Sequence, residues 1–399
     1  MPELYIAMVG LPARGKSTIA RKIKASFSKE NISCEIFNNG NVRRDYFKNT
    51  TQASFYNSKN SEAAKLREKI AMLNLKAAKK HQGQVSIIDA TNVSAKRREK
   101  ICRVLNDAPL VFIECVNNDM DLLSASIEQK TKTDEFRVMP SKKAFESFEK
   151  RIEYYKQIYT PVSDEPNYVI LDSLNNQIIK EKANQDIPHY VLLRDTLVSD
   201  WIDNLFLIRH GYSTYNHEKR IGGNPELSKE GLKQANALGK HFSSINIPVI
   251  FTGKTKRTKQ TARPIIKMQK DCKIIELEEF NEINAGICEE MTYEEIRKQM
   301  PDVHHARSLN KYHYIYPRGE GYVTLNTRVF RGLKKALFLS GNESTFMIVG
   351  HQAVNRIILS HFLYRQKKDV PYIYVPQHKF FHITSRPDKR HIALHKFDY

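Results

Sequence analysis

The chain is poor in the features that mark secreted, membrane-spanning or fibrous proteins. It has five cysteines, Cys34, Cys102, Cys115, Cys272 and Cys288, an odd number without metal-ligand spacing, which indicates reduced thiols. No apolar run approaches the roughly 20 residues needed to span a bilayer. The N-terminus carries no signal-peptide pattern, and internal repeats and low-complexity tracts are absent. We therefore expect a soluble, cytoplasmic protein with no membrane partner.

Acidic residues are too few to balance the basic ones. Sixty-four Lys and Arg stand against 44 Asp and Glu, which gives a formal net charge of +20. Such an excess suits anionic metabolites, nucleic acid or an anionic membrane surface. The basic residues are dispersed, with no arginine-rich tail and no RNA-binding aromatic motif. This pattern favours small anionic partners over nucleic acid but leaves both open.

Strand and helix patterns alternate along the whole chain. In the first half, strands are predicted at 4–9, 34–38, 85–89, 110–116 and 168–172, and helices at 17–27, 62–81, 94–105 and 141–159. In the second half, strands are predicted at 204–209, 249–252 and 345–350, and helices at 229–242, 256–266, 324–339 and 353–362. Such alternation is typical of a parallel sheet covered on both faces, so an α/β fold is predicted.

The length of the chain allows more than one domain. The pattern becomes ambiguous over 184–203, where the only tryptophan, Trp201, lies. We place a boundary near Asp203. This predicts two α/β domains, 1–203 and 204–399.

A glycine-rich segment follows the first predicted strand. Residues 10–17, GLPARGKS, fit the pattern G-x-x-x-x-G-K-S between a strand and a helix. In that pattern backbone N–H groups close around phosphates, Lys16 neutralises the β and γ oxygens, and Ser17 can hold Mg²⁺. Asp89 ends a neighbouring predicted strand and is placed to handle Mg²⁺ or an attacking hydroxyl. N-capping of the next helix is its alternative role.

Several arginines indicate that the acceptor of the phosphate is itself anionic. Arg43, Arg67, Arg97 and Arg151 lie where predicted helices begin or face a cleft. Arg151 and Tyr155 are four residues apart and share one helix face. Any one of these arginines, taken alone, could equally be a solvated surface charge.

Four motifs together resemble the kinase half of the bifunctional 6-phosphofructo-2-kinase/fructose-2,6-bisphosphatase family: GLPARGKS, FNNGNVRRDYF, IIDATNVSAKRR and FEKRIEYY. The resemblance implies a P-loop kinase with a mostly parallel sheet, with Asp89 as the catalytic aspartate. It implies ATP binding by Gly10, Ala13, Arg14, Gly15, Lys16, Ser17 and, after a one-residue gap, Lys130. It implies fructose 6-phosphate binding by Arg43, Arg67, Thr91, Arg97, Arg151 and Tyr155. Ser17 replaces the usual threonine, and Asn117 stands where relatives often have a cysteine.

A histidine follows the strand predicted at 204–209. In LIRHG, His210 lies at the carboxyl end of that strand, where α/β proteins form ligand sites. A neutral imidazole can attack phosphorus if nearby groups balance the charge, and Arg209, Arg257 and His351 are the candidates. Glu282 is the candidate general acid and base. A lone histidine after a strand is usually structural, but LIRHG, KRT and VGHQ in this order resemble the histidine phosphatase (phosphoglycerate mutase-like) superfamily.

Further motifs resemble the bisphosphatase half of the same bifunctional family: RIGG, CEEMTY, KY and YPRGE. The resemblance implies that fructose 2,6-bisphosphate is bound by Asn216, Gly222, Tyr293, Arg307, Lys311, Tyr322, Gln352 and Arg356. The cations among them, Arg307, Lys311 and Arg356, are expected around the 6-phosphate. Tyr212 replaces the glutamate that normally follows RHG, and Asn284 replaces the usual aspartate. Both changes are expected to slow hydrolysis or alter its pH profile.

The sequence therefore predicts a bifunctional enzyme that makes fructose 2,6-bisphosphate from ATP and fructose 6-phosphate and removes its 2-phosphate, controlling glycolysis and gluconeogenesis. The family resemblance adds Mg²⁺ and a homodimer through the kinase half. Three alternatives stay open: an enzyme with kinase activity only, because of Tyr212 and Asn284; a polynucleotide-end kinase-phosphatase; and a non-catalytic sensor. Lys16 lies close to the start and Tyr399 follows the last motifs closely, so we expect catalysis without phosphorylatable regulatory extensions.

Overall fold

The computed structural model of the chain describes residues 1–46, 52–57, 59–132, 134–136, 139–183, 186–341, 345–363, 365–386 and 388–399. Phe47, the last residue of the motif FNNGNVRRDYF, and residues 184 and 185 of the ambiguous region lie outside these ranges. The chain divides into two compact units, Met1–Ser199 and Asp200–Tyr399. Among the described residues, none of the helices has both the length and the apolar character that a membrane span requires.

The N-terminal unit is built on a six-stranded sheet with the strand order 2-3-1-4-5-6. Its strands β1 to β6 are Leu4–Val9, Cys34–Asn38, Val85–Asp89, Leu110–Val116, Tyr168–Asp172 and Gln177–Lys182. The first five are parallel, and β6 is antiparallel to β5. After β1 the chain forms β2 and β3 on one side of it, and it then crosses to form β4 on the other side. The carboxyl end of β1 therefore lies at a switch point, where α/β sheets bind ligands.

Helices cover both faces of this sheet. They are α1 to α7, at Lys16–Lys29, Asn39–Tyr46, Ser61–Lys79, Ala95–Val104, Met120–Thr131, Ser141–Lys156 and Tyr190–Val198. Side-chain oxygens of Asn60, Ser94 and Asp119 cap α3, α4 and α5, which fixes where these helices begin. The alternating residues of β1 pack into two cores: Leu4 and Ile6 lie in one with α1, and Tyr5 and Ala7 lie in another with α3 and α4.

The C-terminal unit has a second six-stranded sheet, in the order 12-11-7-10-8-9. Its strands β7 to β12 are Ile202–Arg209, Val249–Thr252, Lys273–Glu276, Thr345–Gly350, Lys379–Ser385 and Arg390–Lys396. Strands β7, β10, β8 and β9 are parallel, and β11 is antiparallel to both β7 and β12. In the β7–β10 pair, Arg209 is opposite Gly350. The residues that follow, His210 and His351, therefore leave the sheet side by side.

Seven α-helices are described in this unit. They are α8 to α14, at Thr214–Glu218, Lys229–His241, Lys256–Lys267, Tyr293–Gln299, Pro301–Leu309, Tyr322–Ser340 and Gln352–Phe362. Short 3₁₀ helices in the two units lie at Ala53–Tyr56, Asp134–Phe136, Glu278–Phe280, Gly286–Cys288 and Lys367–Tyr372. Helices α10 and α14 follow β8 and β10 within a few residues, so their first turns lie at the carboxyl edge.

The predicted fold class, two α/β domains with mostly parallel sheets, is confirmed. The predicted strands are present with the same bounds, except that β7 begins two residues earlier, at Ile202. Strands β6, β9, β11 and β12 were not predicted. Strands β6 and β12 lie at sheet edges and carry few buried residues, so neither shows the apolar run used to find the central strands.

Candidate active sites

The loop between β1 and α1 has a backbone that requires glycine at two positions. Gly10 has φ 133° and Gly15 has φ 81°, values that residues with a side chain rarely adopt. A Cβ on Gly10 would lie 2.5 Å from the carbonyl oxygen of Cys115. The N–H of Gly10 donates to the carbonyl of Thr91 at 2.9 Å. The loop is thus fixed next to β4 and the residues after β3, and the N-terminus of α1 that follows it favours an anion.

Ala13 and Arg14 complete this loop. Ala13 is buried against Ile127 and Phe148. The carbonyl of Arg14 accepts from the hydroxyl of Ser173 at 2.8 Å. Its Nη1 is buried and has no hydrogen-bond partner among the described residues. Since a buried donor without an acceptor is costly, this nitrogen indicates a place for a ligand oxygen.

Lys16 is the buried cation of the loop. Its Nζ donates to the carbonyl of Leu11 at 2.7 Å, and the residue is 8% exposed. Burial lowers the pKa of Lys16 to about 8, although the charge of Asp89 opposes the shift. Lys130 on α5 lies close enough for its charge to act on Lys16. Partial desolvation and the charge of Arg151 lower the pKa of Lys130 as well. A bound polyphosphate would stabilise the charged form of both lysines.

Asp89 ends β3 at the same edge of the sheet. It is buried, and its Oδ2 accepts from Nδ2 of Asn38 at 2.5 Å. Its alternative role as an N-cap is wrong, because Ser94 caps α4 by accepting from the N–H of Arg97. The described residues contain no group of three or more His, Cys, Asp or Glu that could hold a metal ion. Asp89 and the hydroxyl of Ser17 still offer oxygen donors, which fits Mg²⁺ completed by phosphate oxygens and water.

Two of the predicted sugar-phosphate arginines surround Glu135 and Tyr56. Arg43 forms an ion pair with Glu135 at 2.5 Å, and Arg151 lies 3.7 Å from the same carboxylate. The Arg151 guanidinium lies 4.0 Å from the centroid of the Tyr56 ring, against which Tyr155 also packs. The Nε atoms of both arginines are buried without a hydrogen-bond partner among the described residues. The interpretation of Arg43 as a solvated surface charge is therefore wrong, because the residue is 5% exposed.

Arg67 and Arg97 form a second basic group on α3 and α4. Arg67 donates to the carbonyl of Phe55, and Arg97 lies 2.9 Å from the carboxylate of Glu68. Burial lowers the pKa of Arg67, and Tyr155 and Arg97 act on it in opposite directions. The structure thus brings Arg67, Arg97 and Tyr155 close together, and Tyr155 links them to the group around Tyr56.

In the C-terminal unit, His210 and His351 are neighbours. Their ring centroids are 5.2 Å apart, and both residues are buried. Nδ1 of His210 lies 2.8 Å from the carbonyl oxygen of Gly211, so Nδ1 carries the proton and Nε2 has the lone pair. Nε2 of His351 lies 3.1 Å from the hydroxyl of Thr255, and its Nδ1 has no partner among the described residues. Burial and the charge of Arg257 hold the pKa of both histidines well below the usual value, so the imidazole of His210 is neutral.

Two arginines and one carboxylate frame this histidine pair. Arg257 is 4% exposed, and Arg209 donates to the carbonyl of Val375 at 3.1 Å. Burial lowers the pKa of Arg209 to about 10, and the charge of Glu282 opposes the shift on both arginines. Oε2 of Glu282 accepts from the backbone N–H of Gln352 at 3.1 Å. The arrangement places two cations beside His210 and a carboxylate nearby.

These side chains line a cavity of about 330 Å³, a size typical of small-ligand sites. All the predicted phosphatase residues line it except His351, which contacts the ring of His210 behind it. They are Arg209, His210, Asn216, Gly222, Arg257, Glu282, Tyr293, Arg307, Lys311, Tyr322, Gln352 and Arg356. Gly222 has φ 68°, and a Cβ there would meet the carboxylate of Glu289 at 2.0 Å.

Arg307, Lys311 and Arg356 form a second positive group in the cavity. Arg356 Nη1 donates to the hydroxyl of Tyr322 at 3.0 Å, and Arg307 Nη2 donates to the hydroxyl of Tyr293 at 2.9 Å. Burial and the charges of Arg356 and Arg307 lower the pKa of Lys311 to about 8. A phosphate among the three cations would relieve their mutual repulsion. The cavity can thus hold one phosphate beside His210 and another at this group.

Comparisons with known proteins agree with this geometry. The family model 6-phosphofructo-2-kinase matches residues 2–192, and the model histidine phosphatase superfamily (branch 1) matches residues 205–398. The 6-phosphofructo-2-kinase/fructose-2,6-bisphosphatase 3 of Rattus norvegicus is 31% identical over 393 residues, which are 95% of this chain and 69% of that protein. The chain belongs to the bifunctional 6-phosphofructo-2-kinase/fructose-2,6-bisphosphatase family.

This chain matches a larger share of a second relative from the same bifunctional family. The 6-phosphofructo-2-kinase/fructose-2,6-bisphosphatase of Aquarana catesbeiana is 31% identical over 392 residues, 95% of this chain and 82% of that protein. Among solved structures, an alpha-ribazole phosphatase from Shigella flexneri is 20% identical, with a TM-score of 0.45, over 49% of this chain and 96% of that one. The family assignment rests on the relatives and the family models, and not on the likeness to the alpha-ribazole phosphatase structure. The family resemblance predicted from the motifs is confirmed.

The two departures from the bisphosphatase motifs lie outside the cavity wall. Neither Tyr212 nor Asn284 is among the lining residues. The Tyr212 ring packs 5.3 Å from the ring of His217. Asn284 is exposed, and its Oδ1 accepts from the N–H of Gly286 at 2.8 Å. Tyr212 still acts electrostatically on Arg209, one of the cations beside His210.

Some contacts at both sites were not predicted from the sequence. In the first site, Asn38 bonds to Asp89 and Glu135 pairs with the arginines. In the second site, Gln377 bonds to the backbone of His210. Asn38 ends a predicted strand inside a motif, and this position was an available signal. Glu135 lies in a three-residue 3₁₀ helix and Gln377 in an irregular segment, and no spacing rule marks either position.

Proposed function

We propose that the chain synthesises fructose 2,6-bisphosphate from ATP and fructose 6-phosphate and hydrolyses it back to fructose 6-phosphate and phosphate. We assign synthesis to residues 1–203 and hydrolysis to residues 204–399, as a control point between glycolysis and gluconeogenesis. One observation carries the proposal: each of the two compact units gathers buried basic side chains at the carboxyl edge of a mostly parallel sheet. Relatives named for both activities match 95% of the chain.

In the kinase, the chain's contribution is positioning and charge neutralisation. The loop of residues 10–15 and the first turn of α1 would hold the triphosphate through backbone N–H groups, with Lys16 on its terminal oxygens. The hydroxyl of Ser17 and the carboxylate of Asp89 would hold Mg²⁺, which neutralises charge on the phosphate oxygens. Lys16 is buried, so its interaction with the phosphates is little screened by water.

The acceptor sugar would be fixed by the arginines of the same unit. Arg43 and Arg151 fit the 6-phosphate, because their buried Nε atoms have no hydrogen-bond partner among the described residues. The oxygen on C2 of the sugar then attacks the γ-phosphorus, the bond to ADP breaks, and Asp89 accepts the hydroxyl proton. The acceptor phosphate must compete with Glu135 for the arginines, which contributes to specificity for a dianion.

In the phosphatase, Nε2 of His210 attacks the phosphorus of the 2-phosphate. The bond from phosphorus to the oxygen on C2 breaks, and protonated Glu282 gives its proton to that oxygen. Arg209, Arg257 and Nδ1 of His351, which has no hydrogen-bond partner among the described residues, balance the charge on the transferring group. In the second step Glu282 takes a proton from water, and the water oxygen attacks phosphorus. The bond to Nε2 then breaks, which releases phosphate and restores neutral His210.

The family resemblance supports further features of this proposal. It supports a homodimer formed through the kinase half, a cytoplasmic location and sugar phosphates as the partners. It does not favour a polynucleotide substrate, and binding of RNA or DNA that weakens steeply with salt would contradict that choice. The kinase-only alternative is not favoured either, since the relatives are named for both activities and the cavity around His210 keeps its predicted residues.

Separate inactivation of the two sites tests the proposal. Lys16→Ala should abolish synthesis and leave hydrolysis intact, and His210→Ala should abolish hydrolysis and leave synthesis intact. Lys24→Ala, on the same helix as Lys16, and His391→Ala, at an exposed position on β12, are the matched controls and should keep both activities. A folded Lys16 or His210 variant that loses both activities would contradict the assignment of one reaction to each unit.

A further inference from the structure

A short segment before β11 accepts hydrogen bonds from the basic side chains that line the phosphatase cavity. Three backbone carbonyls of residues 371–377, at every second position, accept hydrogen bonds from basic side chains that line the cavity. The bonds are Lys311 Nζ to the Pro371 carbonyl at 3.2 Å, Arg356 Nε to the Ile373 carbonyl at 2.9 Å and Arg209 Nη1 to the Val375 carbonyl at 3.1 Å. Residue 377 lies two positions after the last of these carbonyls.

Gln377 occupies that position and contacts the site with its side chain. The residue is 8% exposed. Its Nε2 donates to the backbone carbonyl of His210 at 3.1 Å and to Oδ1 of Asn216 at 3.0 Å. A side-chain amide nitrogen has two hydrogens, so both are used. One buried amide therefore joins the residue that follows β7 to the helix α8.

The bond to His210 acts on the orientation of the nucleophilic ring. Gln377 fixes the plane of the peptide between His210 and Gly211 by donating to its carbonyl oxygen. The imidazole is in turn held by the next carbonyl, that of Gly211, at 2.8 Å from Nδ1. Rotation of the first peptide would therefore move the second carbonyl and turn the ring.

The bond to Asn216 acts on the orientation of a cavity-lining amide. Oδ1 of Asn216 accepts from Gln377 and also from the backbone N–H of Ser213 at 2.9 Å. With Oδ1 held in this way, the Nδ2 group of Asn216 remains as the donor for a ligand in the cavity that Asn216 lines.

We propose that Gln377 is a positioning residue that holds the His210 imidazole and the Asn216 amide in their reactive orientations, a role that rests on the phosphatase activity proposed above. Displacement of a reacting group by about 1 Å can cost about 100-fold in rate. Loss of this amide should therefore slow transfer of phosphate to His210 by more than the accompanying change in melting temperature explains.

The test follows formation of phosphohistidine in a single turnover with fructose 2,6-bisphosphate labelled with ³²P at the 2-phosphate. Gln377→Leu removes both N–H donors, and Gln377→Glu keeps the shape but presents oxygens to two acceptors. Each should slow labelling about tenfold or more. Gln377→His keeps a ring N–H and should recover part of the rate. Synthesis of fructose 2,6-bisphosphate by the same variants should be unchanged, and their melting temperatures report on folding of the C-terminal unit.

Gln269 provides the matched control within the same unit. Its Nε2 donates to the carbonyl of Phe242 at 2.9 Å and its Oε1 accepts from the N–H of Ile247 at 2.9 Å, away from the cavity. Gln269→Leu should lower the melting temperature without changing the labelling rate by more than about twofold.

The outcomes separate this inference from the function on which it rests. A wild-type chain that forms no phosphohistidine would refute the phosphatase proposal itself. If the wild type is labelled and both Gln377→Leu and Gln377→Glu are labelled at the wild-type rate, the role of Gln377 is overturned and the phosphatase proposal stands. Equal losses in the Gln377 and Gln269 variants, in proportion to their melting temperatures, would also overturn it. If Gln377→Leu does not fold, the rates of the glutamate and histidine variants decide.

Discussion

We predict that Lys311 makes hydrolysis sensitive to alkaline pH. Burial and the charges of Arg356 and Arg307 lower its pKa to about 8. A lysine with a lowered pKa is charged below that value and neutral above it, so the cavity loses a cation as the pH rises. The protonated fraction of Lys311 falls from about nine-tenths at pH 7 to about one-tenth at pH 9. The two arginines keep their charge over this range.

The measurable consequence is a loss of catalytic efficiency toward the bisphosphate. Because kcat/KM reports the ionisation of the free enzyme, we expect kcat/KM for hydrolysis to fall about tenfold between pH 7 and pH 9. A substrate phosphate stabilises the charged lysine, so kcat should change less than kcat/KM. Phosphate release at a series of substrate concentrations and pH values gives both quantities.

Lys311→Arg is the decisive control for this prediction. A guanidinium stays charged well above pH 9, so the variant should show no decrease in kcat/KM attributable to this position. An equal alkaline decrease in the wild type and in Lys311→Arg would refute the reasoning, as would a flat wild-type profile from pH 7 to pH 9.

Three further predictions concern residues in and around the two sites. Gly10→Ala should slow synthesis at least about tenfold and leave hydrolysis unchanged, because its Cβ would lie 2.5 Å from the Cys115 carbonyl oxygen; retained synthesis would contradict this. Arg328→Met should lower the free energy of unfolding by about 2 kcal/mol, because Arg328 donates to Glu320 at 2.6 Å and to backbone carbonyls before the proposed acid; a urea-denaturation change under about 0.5 kcal/mol would refute it. Tyr212→Phe should change hydrolysis less than about twofold, since Tyr212 does not line the cavity; a tenfold loss would show a direct role.

The central strands and the residues next to them were predictable because short-range rules apply there. β1 is an apolar run followed by glycines, and its position at the switch point follows from the alternation of strands and helices. Similarly, His210 and His351 each follow a parallel strand directly, so their closeness at one edge follows from the fold.

The remaining parts depend on contacts between distant segments that have no local pattern. Glu135 pairs with Arg43 across 92 positions of the chain, and Gln377 reaches His210 across 167. Glutamate and glutamine at such positions look like ordinary surface residues in the sequence. The lowered pKa of Lys311 is likewise set by burial and by charges from α12 and α14, which only the folded chain provides.

The most direct measurement follows one phosphate through both sites. Wild-type chain incubated with ATP labelled with ³²P at the γ-phosphate should acquire acid-labile, base-stable label on His210 only when fructose 6-phosphate is present. Neither Lys16→Ala nor His210→Ala should be labelled. Label on His210 without the sugar, or no label in a wild type that makes fructose 2,6-bisphosphate, would contradict two cooperating phosphate sites in one chain.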